Sequence, residues 1–171
     1  MKKFLLIAIT FIFASTVTAQ ETKVGLTAGY LNMEASESYM GMDVSANASG
    51  LYAGVLVDVP LSGSFHLEPA VIYGIAEELN VLFVPVLAKY YISESDFSLL
   101  AGPQGTIILD EVGDYINTFG VDFTFGASYD ITERFFLQAR YSFELTNRYN
   151  NDLDDVDGSV NSLFVGVGYK F

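Results

Sequence analysis

His66 is the only histidine in a chain of 171 residues that has no cysteine. Zinc and similar metals want several imidazole or thiolate ligands, so that composition removes His- and Cys-based metal sites and all thiol chemistry. Carboxylates remain, with few cations to oppose them. Asp152, Asp154, Asp155 and Asp157 crowd into the run 150–158, and calcium prefers oxygen donors of this kind. Val156 interrupts the alternation of a regular EF-hand loop. Weak divalent-cation binding is therefore weighed against a plain solvated acidic loop. Five further charges stand alone in small or apolar surroundings: Glu68, Lys89, Asp122, Arg140 and Glu144. A charge so placed needs an opposite charge or a wet path. His66 and Glu68 lie two residues apart, which is strand alternation and not a catalytic triad. No catalytic role, metal or cofactor is expected.

These charges can be positioned only by strands. Lys2 and Lys3 followed by the apolar run 4–14 and the small-residue stretch 16–19 read as a signal peptide spanning residues 1–19. Residues 20–171 are then one exported domain of ordinary single-domain size. Losing Lys2 and Lys3 takes the formal charge from −13 to −15. A chain this acidic repels nucleic acid, and no basic patch offsets the repulsion. Beyond the leader no apolar run is long enough for a membrane helix, so a membrane location requires a closed barrel.

Eight segments alternate with period two. They run roughly over 22–31, 50–59, 65–75, 79–92, 97–109, 119–131, 135–145 and 162–171. The sixth is the clearest. Phe119, Val121, Phe123, Phe125, Ala127, Tyr129 and Ile131 alternate with Gly120, Asp122, Thr124, Gly126, Ser128 and Asp130. The fourth is apolar on both faces, and the register that turns Lys89 inward puts Leu82, Val84, Val86, Ala88 and Tyr90 on the lipid side. Tight breaks near 60–64, 93–96 and 131–134 mark the periplasmic end. Connections near 32–49, 76–78, 110–118 and 146–161 mark the outer end, the second of them unusually short. The chain closes with Leu163, Val165, Val167, Tyr169 and Phe171 alternating with Phe164, Gly166, Gly168 and Lys170. The fold class expected is all-β: an eight-stranded antiparallel up-and-down transmembrane β-barrel. Apolar rows face lipid, and a small, polar inner face carries the five charges as a network that plugs the lumen.

The terminal aromatic pair Tyr169 and Phe171 resembles the outer-membrane C-terminal signature. The stretches 67–73, 84–91, 101–103, 125–129 and 138–141 extend the likeness over nearly the whole mature chain. The chain resembles the small eight-stranded outer-membrane β-barrels. It is especially like the PorT-like outer membrane protein β-barrel domain, with OmpX and the OmpA membrane domain as architectural relatives. The resemblance implies the outer membrane of a Gram-negative bacterium. It also implies outer-membrane lipid and lipopolysaccharide as surroundings, and periplasmic chaperones and the barrel-assembly machinery as folding partners. A monomer is expected. The function expected is non-enzymatic, structural or surface-interacting through acidic outer loops, with an unknown surface ligand. The alternatives are a narrow pore or secretion accessory and, more remotely, a lipid-modifying enzyme.

Overall fold

The computed structural model describes residues 22–39, 42–93, 95–113, 116–148 and 156–171; side chains are described for all of these except 37–39, 42–44 and 156–157. The eight strands are β1 (Lys23–Tyr39), β2 (Met42–Ser62), β3 (Phe65–Ala76), β4 (Leu79–Tyr91), β5 (Phe97–Ile108), β6 (Phe119–Asp130), β7 (Phe135–Glu144) and β8 (Val156–Lys170). Each pairs antiparallel with its sequence neighbours, and β1 pairs with β8 to close the barrel. Closure leaves no long free edge in the wall, because every strand finds backbone partners on both sides.

Alternation sets the faces. Phe125 is 48% exposed while Thr124 beside it is fully buried. The outward rows Val55, Leu99, Phe125, Leu137 and Val165 are all exposed and apolar. An apolar belt this continuous is far larger than a soluble monomer tolerates, and it is what a lipid-facing wall requires. Aromatic pairs line the end bearing the tight turns, here the turn end. Phe65 stacks on Tyr90 at 5.1 Å, and Tyr169 meets Phe135 at 4.9 Å and Phe171 at 5.1 Å. The opposite end is the loop end.

Two features depart from the sequence expectation. The connection placed at 32–49 is largely strand, and residues 156–161 of the last connection belong to β8. β1 pairs with β2 as far as Tyr39↔Met42 and with β8 as far as Tyr39↔Val156. β3 stops at Ala76, opposite Gly50, and the β7–β8 pairing stops at Ser142↔Ser162. The upper parts of β2, β1 and β8 thus form a three-stranded blade standing beyond the rest of the wall. Water wets both faces of such a blade, so its sequence carries no apolar alternation.

The second departure is the inner face, which is not uniformly small and polar. Leu31, Leu56, Ile72, Val81, Phe83 and Phe164 are buried inside the barrel and form an apolar plug. Phe164 packs edge-on against Phe83 at 4.9 Å and Tyr52 at 5.4 Å. Glycines make room for the rings: a Cβ on Gly168 would lie 2.0 Å from the Phe136 ring, and one on Gly166 2.3 Å from the Tyr52 hydroxyl. This plug explains why β4 is apolar on both faces. One side meets lipid and the other meets Phe164.

Candidate functional site

The lumen holds its polar groups in three tiers. At the turn end, the β2–β3 hairpin brings Asp58 beside His66, with Nδ1 to Oδ1 at 2.5 Å. The fully buried Lys89 of β4 reaches Glu68 at 3.4 Å and Asp58 at 3.6 Å. Lys170 of β8 reaches Asp58 at 3.4 Å and Asp130 at 2.9 Å, and the Tyr91 hydroxyl donates to Asp130 at 2.8 Å. Gln138 donates to the other oxygen of Glu68 at 2.9 Å. Two lysines thus oppose three carboxylates on interlocking bonds, so no single partner carries the compensation. This tier floors a cavity of about 480 Å³ that opens at the turn end and is lined by Asp58, His66, Tyr91, Asp130, Lys170 and Lys23.

The middle tier is Arg140. It is buried, with its guanidinium 4.9 Å from the Phe164 ring centre. Phe164 is also its register partner. The Nε and Nη2 atoms find no hydrogen-bond acceptor. A delocalised guanidinium over a ring face tolerates such a place better than an ammonium would.

At the loop end, Asp122 accepts hydrogen bonds from Thr106 and from Gln104, the latter at 2.8 Å. Glu144 pairs with Arg148 at 2.6 Å and accepts from the Val160 amide at 2.7 Å. Arg148 Nη1 also donates to the carbonyls of Asn117 at 3.2 Å and Thr118 at 3.1 Å. This guanidinium ties the connections after β5 and β7 to the barrel rim.

The five charges expected to form one network are therefore split. Glu68 and Lys89 meet. Asp122 lies opposite Glu144 in register but is held by a hydroxyl and an amide. Glu144 takes Arg148, and Arg140 takes an aromatic face. The apolar plug separates the tiers and prevents a continuous ion-pair chain. Asp58, Asp130, Lys170 and Arg148 are the members missed. The first three occupy inward positions of the alternation and could have been counted. Nothing in local spacing marks Arg148. Asp152, Asp154 and Asp155 lie outside the described residues, and Asp157 is placed by its backbone alone. Tyr169 and Phe171 stack in the turn-end aromatic cluster. Among the described residues no hydroxyl bonds to His66, so the Asp58–His66 pair lacks the nucleophile of a hydrolytic triad.

A family model described as the outer membrane protein beta-barrel domain matches residues 4–171. The chain belongs to this family. Among solved structures, it is similar to Neisserial surface protein A, with 16% identity, a TM-score of 0.54, and 89% of this chain and all of that one covered. It is similar to Ail, the attachment invasion locus protein of Yersinia pestis, with 16% identity, a TM-score of 0.51, and again 89% of this chain and 100% of that one. A de novo designed transmembrane β-barrel matches with 16% identity and a TM-score of 0.54 over 90% of this chain and 100% of the design. No curated protein matches the chain. At this identity the likeness concerns the fold. Similarity to a designed barrel makes the point: the architecture follows from strand number and face polarity, and specific function must come from the lumen, its mouths and the blade.

Proposed function

We propose that this outer-membrane barrel is a non-enzymatic surface protein of a Gram-negative bacterium, exported by its N-terminal leader, with a sealed lumen and a β-blade presented outside the cell. The blade carries the proposal. The Ser49 carbonyl still accepts from the Glu77 amide at 3.1 Å, but beyond it β2 pairs only with β1 among the described residues, so residues 42–48 offer a row of backbone donors and acceptors on one side. An extended partner segment can add to such an edge by main-chain hydrogen bonds. A pore has no need of this extension. The turn end then faces the periplasm, as short turns do in such barrels. Outer-membrane lipid and lipopolysaccharide surround a monomer, and the periplasmic chaperones and assembly machinery deliver it.

A second function, a narrow pore, has one observation in its favour. Gln104 Oε1, Asp122 Oδ1, Ser128 Oγ, Gln138 Oε1 and two nitrogens of Arg140 are buried without partners, and all sit on β5, β6 and β7. Orphaned atoms along one inner wall are the places where ordered water sits. Planar-bilayer recording separates the two functions. A sealed surface protein gives no steady conductance, and replacing residues 42–49 by a short turn abolishes surface binding without altering the barrel. Steady openings of the unmodified chain would favour the pore.

A further inference from the structure

The blade has two edges, and the connection after β7 closes only one of them. Along β8, the Gly158 amide donates to the Asn147 side chain at 3.1 Å, and the Gly158 carbonyl accepts from the Arg148 amide at 3.0 Å. The Val160 amide donates to Glu144 at 2.7 Å. The β2 edge is different. Its pairing with β3 ends where the Ser49 carbonyl accepts from the Glu77 amide at 3.1 Å. Every second residue of a strand turns its amide and carbonyl to the same side. Asp43, Ser45 and Asn47 therefore turn theirs away from β1, as Ser49 does, and among the described residues no strand meets them. The usual protections of an open edge are missing too, since residues 42–49 contain no Lys and no Pro.

We propose that this edge takes up an extended cationic segment of another protein as a fourth strand of the blade; the proposal rests on the surface-binding function above and names the partner's chemistry. The backbone specifies a strand, because amides and carbonyls alternating along an edge are matched only by another extended chain. Charge specifies the side chains. The three strands of the blade hold Glu34, Glu37, Asp43 and Asp157 and no Lys, Arg or His. The connections at 76–78 and 110–118 add five more acids and no cation. Arg148 is buried at 2.6 Å from Glu144, so it offsets none of this charge. A Lys or Arg on the added strand lies among unopposed carboxylates, whereas an Asp or Glu is repelled. The same repulsion acts against a second copy, whose blade would bring its own acids against these.

Fluorescence anisotropy tests this with the full chain in phosphatidylcholine nanodiscs, empty nanodiscs serving as the blank. The probes are a short labelled peptide of alternating Lys and Val, its Glu–Val counterpart, and the Lys–Val peptide with alternate amides N-methylated. The Lys–Val peptide should bind saturably, and the other two at least about tenfold more weakly. Ser45→Pro removes one outward amide from an edge position, where proline is tolerated. It should weaken the Lys–Val peptide at least about tenfold, while Ser45→Ala leaves binding unchanged. The N-methylated peptide needs no variant, so the test survives a Ser45→Pro chain that does not fold. Each failure has its own meaning. Equal binding of the Glu–Val peptide overturns the cationic partner and leaves the edge as a docking site. Equal binding of the N-methylated peptide overturns strand addition, because charge alone then holds the ligand. Binding of none of the three overturns the docking edge itself, and the surface-binding function with it. A full chain that is dimeric in detergent and excludes the Lys–Val peptide overturns the proposal in favour of a second copy.

Discussion

Replacing Lys89 by Met tests the turn-end network most sharply. The ammonium is fully buried, 3.4 Å from Glu68 and 3.6 Å from Asp58. Met keeps most of the stem's volume and removes the charge. Breaking a buried pair by deleting one partner costs roughly 3–5 kcal/mol, because the other charge is stranded. The lower end applies here. Asp58 keeps Lys170 at 3.4 Å and His66 at 2.5 Å, so the stranded group is Glu68, left with Gln138 at 2.9 Å. Lys89→Met should therefore destabilise by about 3 kcal/mol. Adding Glu68→Met removes the stranded carboxylate, and the double variant should regain at least about 2 kcal/mol of that loss. The chain has no tryptophan, so denaturation in lipid vesicles is best followed by far-UV circular dichroism and by gel mobility of unheated samples. A loss below about 1 kcal/mol for Lys89→Met would refute the network's role. So would a double variant as unstable as the sum of the singles.

Other perturbations address the plug, the connections and pH. Phe164→Ala removes the ring that packs on Phe83 and Tyr52 and carries Arg140, and should cost about 3–5 kcal/mol in the same denaturation assay. Glu77 turns the β3–β4 hairpin at φ 53°, where a side chain is strained, so Glu77→Gly should raise stability by about 1 kcal/mol. Asp110 lies beyond β5 and accepts from the Asn80 amide at 2.5 Å and its side-chain nitrogen at 3.0 Å, bonds that hold its pKa below the ordinary value. These bonds are fully present above the unfolded carboxylate pKa of about 3.9 and are lost as pH falls through the lower folded value. The Asn80 amide resonance should therefore move with a midpoint below about 3.9, and Asp110→Asn should flatten that titration.

Lipid contact is what made the wall legible in the sequence. A strand with oil on one side must repeat apolar residues every second position, as 119–131 do, and that pattern fixed strand number, inward rows and the setting of Lys89. The same logic fails where the environment is the same on both sides. β4 has oil on one face and Phe164 on the other, so its alternation is faint. The blade has water on both faces, so residues 33–49 are mostly Ser, Ala, Asn, Met and acids, with Tyr39, Gly41 and Val44 at no regular spacing, and the segment reads as loop. The lumen was half readable. Inward charges could be located row by row, but which of them meet depends on how far each side chain reaches across the barrel. Asp58 and Glu68 flank one tight hairpin on the same face, and two neighbouring carboxylates call for a cation. That signal points at Lys89. Arg148 arrives from outside the strands, and only the folded path of the chain brings it to Glu144.

The polarity of the wall is the claim on which the rest depends. With no native cysteine, single cysteines can be placed at 123, 124, 125, 127 and 128 of β6 and spin-labelled in lipid bilayers. Oxygen, which concentrates in the hydrocarbon, should relax the labels at 123, 125 and 127 strongly, while those at 124 and 128 should be shielded from both oxygen and a water-soluble nickel chelate. Strong nickel access at 123, 125 and 127, or an absence of alternation, would contradict a barrel with lipid outside and a packed lumen within.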